Sequence, residues 1–225
     1  YSKDTGIYHY NDGCVACPHI FGLLTDNVHT ILALLKAHEV TGDRKYIGTA
    51  EEIADVVLKE MKDEGGAFFD RTNQTDDIGY LKKRNKPLME NAAAAHALLK
   101  LHSMTGKNEY KQAAKDALHD FAQTYIHFGP HASGYALAVE ACINPHEFYI
   151  VGNPEDKDVK TMLNSALTYF DPRFSIRIIN PEEPEDTMLR EKKGFTHDFA
   201  AYLCADNKCL RFNSVEEFEK WKKGN

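Results

Sequence analysis

What this sequence lacks narrows the field first. No apolar stretch runs much beyond about ten residues without a charge, while a membrane-spanning helix needs roughly 20, so no span is expected. Lys and Arg total 27 against 34 Asp and Glu, a net charge of −7, and no basic block stands out, which argues against a nucleic-acid partner. Five cysteines in 225 residues are too few for a disulfide scaffold. Their odd number and the lack of a signal-like segment point to a reducing, cytoplasmic compartment. The chain opens at Tyr1 with no initiator Met, and so reads as a processed product or a piece of a longer protein.

What is present is ordinary globular material. Apolar residues make up 43% and charged residues 27%, enough for a sizeable core and far from the composition of a disordered chain. At about 150 residues per domain, the length suits one large domain or two small ones.

An internal repeat gives the strongest signal. Ala33-Leu34-Leu35-Lys36-Ala37-His38, followed by Thr41-Gly42 and Tyr46, returns 64 residues later as Ala97-Leu98-Leu99-Lys100-Leu101-His102, with Thr105-Gly106 and Tyr110. The same offset pairs Asp26-Asn27 with Glu90-Asn91 and Ala50 with Ala114. Each copy reads as a helical hairpin. In the first, Thr25 or Asp26 is a candidate N-cap, and Val28, Ile31, Leu32 and Leu35 form an apolar face of helical period. Thr41-Gly42 ends that helix, and a second runs from near Asp43 to Met61. The second copy spans Met89 to Met104 and Asn108 to Tyr125, with Pro87 ahead of it. A fifth helix is expected from Pro130 to about Cys142.

The pattern changes at Asn144-Pro145. His146–Val151 and Phe174–Ile179 read as strands flanking a helix from Asp156 to Tyr169, which implies a parallel pair with a right-handed crossover. Pro181 to Glu185 reads as an acidic loop. Phe199 to Leu203 and Cys209 to Phe212 are short strand candidates, and Ser214-Val215-Glu216-Glu217 is a capping box opening a last helix. The expected organisation is mainly α, with helical hairpins over residues 1–144 and a small α/β appendage over 145–225.

Several segments in order resemble the thioredoxin-domain-containing family related to spermatogenesis-associated protein 20. They are Leu24-Thr25-Asp26-Asn27, Gly65-Gly66-Ala67-Phe68-Phe69-Asp70, Lys86-Pro87-Leu88-Met89-Glu90-Asn91, Tyr149-Ile150-Val151-Gly152, and Ala201-Tyr202-Leu203-Cys204 with Cys209. The resemblance implies that the hairpins are an arc of a partial (α/α) toroid, of the six-hairpin, N-acylglucosamine 2-epimerase-like kind. It implies that the chain is the C-terminal part of such a protein, without its thioredoxin-like domain and early hairpins. An open arc would then need those segments, or self-association, to cover its inner face.

Under this resemblance the first helix of each hairpin is the inner one, and inner-helix ends line a sugar pocket. Asp26 and Glu90 are repeat-equivalent and become candidate catalytic carboxylates, if burial raises one of them. His29, one turn beyond Asp26, is a candidate proton carrier. Asn91, Asp70 and His131 are candidate substrate-binding groups for a sugar-like small molecule. The bland alternative for Asp26 and Glu90 is first-turn acids favoured by the helix dipole. The basic run Lys82-Lys83-Arg84 with Lys86 is either a solvated loop or a contact for an anionic sugar.

The cysteines carry the alternative function, a non-catalytic interaction or redox-associated module packing on a thioredoxin-like partner domain. Cys14, Cys17, Cys204 and Cys209 could together hold a structural zinc. The same pairs also fit free thiols, a redox dithiol at Cys14 and Cys17, or a local disulfide from Cys204 to Cys209. No other cofactor is expected. His38 and His102 are repeat-equivalent and sit near helix C-termini, where a structural role explains both.

Overall fold

The computed structural model describes residues 1–10, 13, 20–74, 77–206 and 208–224. It is mainly α. The helices are α1 (Leu24–Thr41), α2 (Lys45–Glu60), α3 (Leu88–Thr105), α4 (Asn108–Asp120), α5 (Ser133–Ile143), α6 (Lys157–Leu167), α7 (Pro184–Lys193) and α8 (Val215–Gly224). One sheet contains β1 (His146–Val151), β2 (Phe174–Ile179), β3 (Ala200–Ala205) and β4 (Lys208–Phe212). Among the described residues, no helix is long and apolar enough to cross a membrane.

The chain divides into two compact units, one of residues 1–38 and 43–142, the other of residues 39–42 and 143–225. The first holds the repeat. Its core joins Val28, Ile31 and Leu35 of α1 to Ile53 and Val57 of α2, Leu98 and Leu101 of α3, and Ala114 and Leu118 of α4. Helix α3 packs against both α2 and α4. Its run of small residues, Ala92, Ala94, Ala95 and Ala97, is buried throughout, which lets neighbouring backbones come close. Gly106 closes α3 in the left-handed conformation, at φ 75°.

The repeat-equivalent histidines act alike. His38 Nδ1 donates to the Asp43 carbonyl at 3.1 Å and His102 Nδ1 to the Lys107 carbonyl at 2.9 Å. Each ring ties the end of its helix to the loop that follows.

In the second unit the sheet order is β2-β1-β3-β4, with β1 and β2 parallel and the other pairs antiparallel. The parallel pair joined through α6 is the arrangement expected from the sequence. One face packs Phe148, Phe174 and Phe212 against Met162 of α6 and Phe218 of α8. The other gathers Tyr149, Tyr202, Phe195 and Cys204.

Several boundaries differ from expectation. Helix α1 begins at Leu24, so Thr25 and Asp26 lie within it rather than capping it. Helix α4 stops at Asp120. A 3-10 segment, Tyr125–Ala132, precedes α5, because Gly129 (φ 53°) and Pro130 interrupt the helical path. Pro184 opens a helix rather than lying in a loop: Pro fits the first turn, where no backbone donor is needed. The capping box at α8 is shifted. The Glu217 amide donates to Ser214 Oγ, but the Glu217 carboxylate reaches the amide of Asn213 instead of Ser214.

Candidate functional site

One short stretch of chain assembles the candidate site. Segment 68–72 stitches the N-terminal end of α3 to that of α1. Asp70 N–H donates to the Asn85 carbonyl at 2.7 Å, Leu24 N–H donates to the Asp70 carbonyl at 2.9 Å, and Thr72 N–H donates to the Gly22 carbonyl at 2.9 Å. Asp26 lies in the first turn of α1 and Glu90 in the first turn of α3. Asp70 sits in the stitching segment, so three carboxylates come from three different pieces of chain.

Their mutual influence is felt at Glu90. Partial burial pushes its carboxyl above the ordinary range, and the charges of Asp70 and Asp26 add to the shift. Asp26 has a different environment. Its Oδ2 lies 2.8 Å from His9 Nδ1. Asp70 accepts from the Asn85 amide at 3.0 Å. Unequal environments for neighbouring carboxyls are what acid/base chemistry requires.

Two asparagines set this geometry. The Asn91 side chain accepts from Phe68 N–H at 2.6 Å and donates to the carbonyls of Phe68 and Pro87, both at 2.9 Å. Asn27 accepts from Ile7 N–H at 3.1 Å and donates to the Leu23 carbonyl at 2.7 Å. Each asparagine bonds the carbonyl four residues back and clamps a passing segment. Two residues beyond each clamped position comes a polar group, His9 after Ile7 and Asp70 after Phe68. The repeat therefore extends to the loops, and His9 is the counterpart of Asp70. His9 is the functional candidate that sequence reasoning missed. The signal for it was the shared Asn, blurred because the spacing differs, 20 residues from Ile7 to Asn27 against 23 from Phe68 to Asn91.

The remaining candidates fall elsewhere. Asn91 is buried and its amide is taken up by backbone, so the substrate-binding role gives way to a structural one. His29 is exposed on α1, one turn beyond Asp26. His131 is exposed in the 3-10 segment, and no described hydrogen bond or ion pair links it to the carboxylates. The basic run is partly structural: the Arg84 guanidinium lies 3.9 Å from the Phe69 ring centre, and Lys86 bridges Asp63 and Asp120 at 2.9 and 3.1 Å. A separate open cleft of about 470 Å³ lies between the turn at Gly65-Gly66 and α4. Asp116 there is held by Lys62 and Gln112, and none of Asp26, Asp70 and Glu90 lines it.

The zinc alternative loses half its ligands. Cys204 and Cys209 are joined to each other as a disulfide, so neither sulfur is a free thiolate. Cys14 and Cys17 lie outside the described residues. Among the described residues, no group of three or more His, Cys, Asp or Glu side chains could hold a metal ion.

The fold and site together define a mainly α protein with repeated helical hairpins, carboxylates near the N-terminal ends of their first helices and a small mixed sheet. No family model matches the chain. It is 23% identical over 180 residues to spermatogenesis-associated protein 20 of Rattus norvegicus. The aligned part covers 77% of this chain and 23% of that protein, so the chain spans under a quarter of the relative it resembles.

Proposed function

We propose that the chain is part of a carbohydrate-active, six-hairpin protein of the epimerase-like or glycosidase-like kind, related to spermatogenesis-associated protein 20. In this reading α1 to α5 are an arc of an (α/α) toroid, and a sugar-like small molecule binds over the N-terminal ends of α1 and α3. The observation that carries the reading is the placement of Asp26 and Glu90 in the first turns of α1 and α3, whose N-terminal ends are stitched by the segment that holds Asp70, with the Glu90 carboxyl raised by burial and by the charges of Asp70 and Asp26. Glu90 is the general acid. Asp26, oriented by His9, is the complementary base. Exposed Tyr8 and Tyr10, on either side of His9, offer apolar faces to a sugar ring.

The test is turnover of a panel of reducing and N-acylated hexoses, followed by NMR of the anomeric and C2 protons. Activity is expected to fall as pH rises through the raised Glu90 value, because the acid form is then lost. Glu90→Gln should reduce turnover by about 10²-fold or more, the usual weight of one acid/base group, and should remove that alkaline limb. Turnover by Glu90→Gln at the native rate would end this assignment. A second reading, a redox-associated module, draws on the disulfide in the second unit.

A further inference from the structure

Strand β3 is hydrogen-bonded on both sides, to β1 and to β4, whereas among the described residues β4 pairs only with β3 and forms one edge of the sheet. Cys204 of β3 stands directly opposite Cys209 of β4, and the two are disulfide-bonded. The two halves of the bond differ in environment. Cys204 is 8% exposed and belongs to the packed group that includes Tyr149, Phe195 and Tyr202. Cys209 is exposed, as are Lys208 and Arg211 on the same edge strand. Of the two, Arg211 shares the face of Cys209 by strand alternation, so an attacking thiolate finds one sulfur on an exposed edge strand beside a guanidinium and the other shielded.

We propose that Cys204–Cys209 is an exchangeable disulfide that accepts two electrons from an external dithiol through attack on Cys209. The dithiol's first thiolate bonds to Cys209 Sγ, the Cys204–Cys209 bond breaks, and Cys204 leaves as a thiolate that takes up a proton. The dithiol's second thiolate then attacks its own first sulfur in the mixed disulfide. This forms the oxidised dithiol and releases Cys209, which is protonated in turn. The protein gains two electrons and two protons, and the dithiol loses them. A protonated Cys204 suits its apolar surroundings.

Reduction need not undo the fold. The ladder from Ala201–Phe212 to Ala205–Lys208 holds β4 without the bond, and Phe212 is anchored on the opposite face against Phe218. The disulfide closes only a short loop, where a cross-link constrains the unfolded chain least. This site is independent of the carboxylates and survives if the acid/base reading fails.

The test uses the intact protein treated with dithiothreitol under native conditions, alkylated and peptide-mapped by mass. Both Cys204 and Cys209 should be alkylated while far-UV circular dichroism stays unchanged. With oxidised glutathione, Cys204→Ser should take the adduct at Cys209 about tenfold faster or more than Cys209→Ser takes it at Cys204, following exposure and charge. Labelling only in denaturant, loss of helix and sheet signal on reduction, or equal adduct rates would each overturn the proposal. The wild-type labelling decides alone if either variant fails to fold.

Discussion

Asn91 shows at the scale of one residue how the site is held. It is 1% exposed, and its amide satisfies both backbone groups of buried Phe68. Replacing Asn91 with Ala strands those two groups away from water, which should cost about 2–4 kcal/mol in urea unfolding at the usual penalty per orphaned group. Asn91→Asp should rescue little, because a carboxylate can accept from Phe68 N–H but cannot donate to its carbonyl. A loss below about 1 kcal/mol for the Ala variant would mean the clamp is dispensable. The sequence displayed Asp26-Asn27 and Glu90-Asn91 as equivalents, yet it suggested a substrate ligand at Asn91, whereas both asparagines are clamps. Pairing of a side chain with a distant loop leaves no periodic trace. His9 was hidden for the same reason: it meets Asp26 from 17 residues away, where helical spacing says nothing.

At the scale of elements, the helices whose apolar faces repeat were legible, and their ends were less so. Helix α7 is the instructive case. The run Pro181-Glu182-Glu183-Pro184 has the composition of a loop, but Pro184 at the first turn and Glu185 and Asp186 beside the helix dipole favour initiation. Arg177 also pairs with Asp186 at 2.9 Å, a tertiary contact invisible in sequence. Helix α3 carries the clearest element-scale prediction. Ala95 is fully buried where α3 meets its neighbours, and Leu has nearly the same helix propensity as Ala. Ala95→Leu should therefore lower stability by about 1–3 kcal/mol through overcrowding alone, seen as a reduced urea midpoint with unchanged slope. An unchanged midpoint would show that the small residues of α3 reflect propensity rather than close packing.

At the scale of the molecule, the chain builds separate cores for its hairpins and its sheet, each from its own side chains. At Asn144-Pro145 the sequence changes pattern, as helical periodicity gives way to β-branched and aromatic runs that need a different partner face. It could not foretell that residues 39–42, at the end of α1, group with the second unit. The core around Phe218 offers a test of this division. Phe218 is fully buried, with its ring centre 4.7 Å from that of Phe148 and 5.3 Å from that of Phe212. Removing the ring in Phe218→Ala should cost about 3–5 kcal/mol, the range for deleting a core aromatic. Local opening should follow the loss. Amide exchange should accelerate in β1, α6, β4 and α8, which share that core, and stay near the wild-type rate in α3, whose buried residues belong to the hairpin core. Equal acceleration in α3 would mean that the two cores open as one cooperative unit, and hydrogen-exchange mass spectrometry separates these outcomes peptide by peptide.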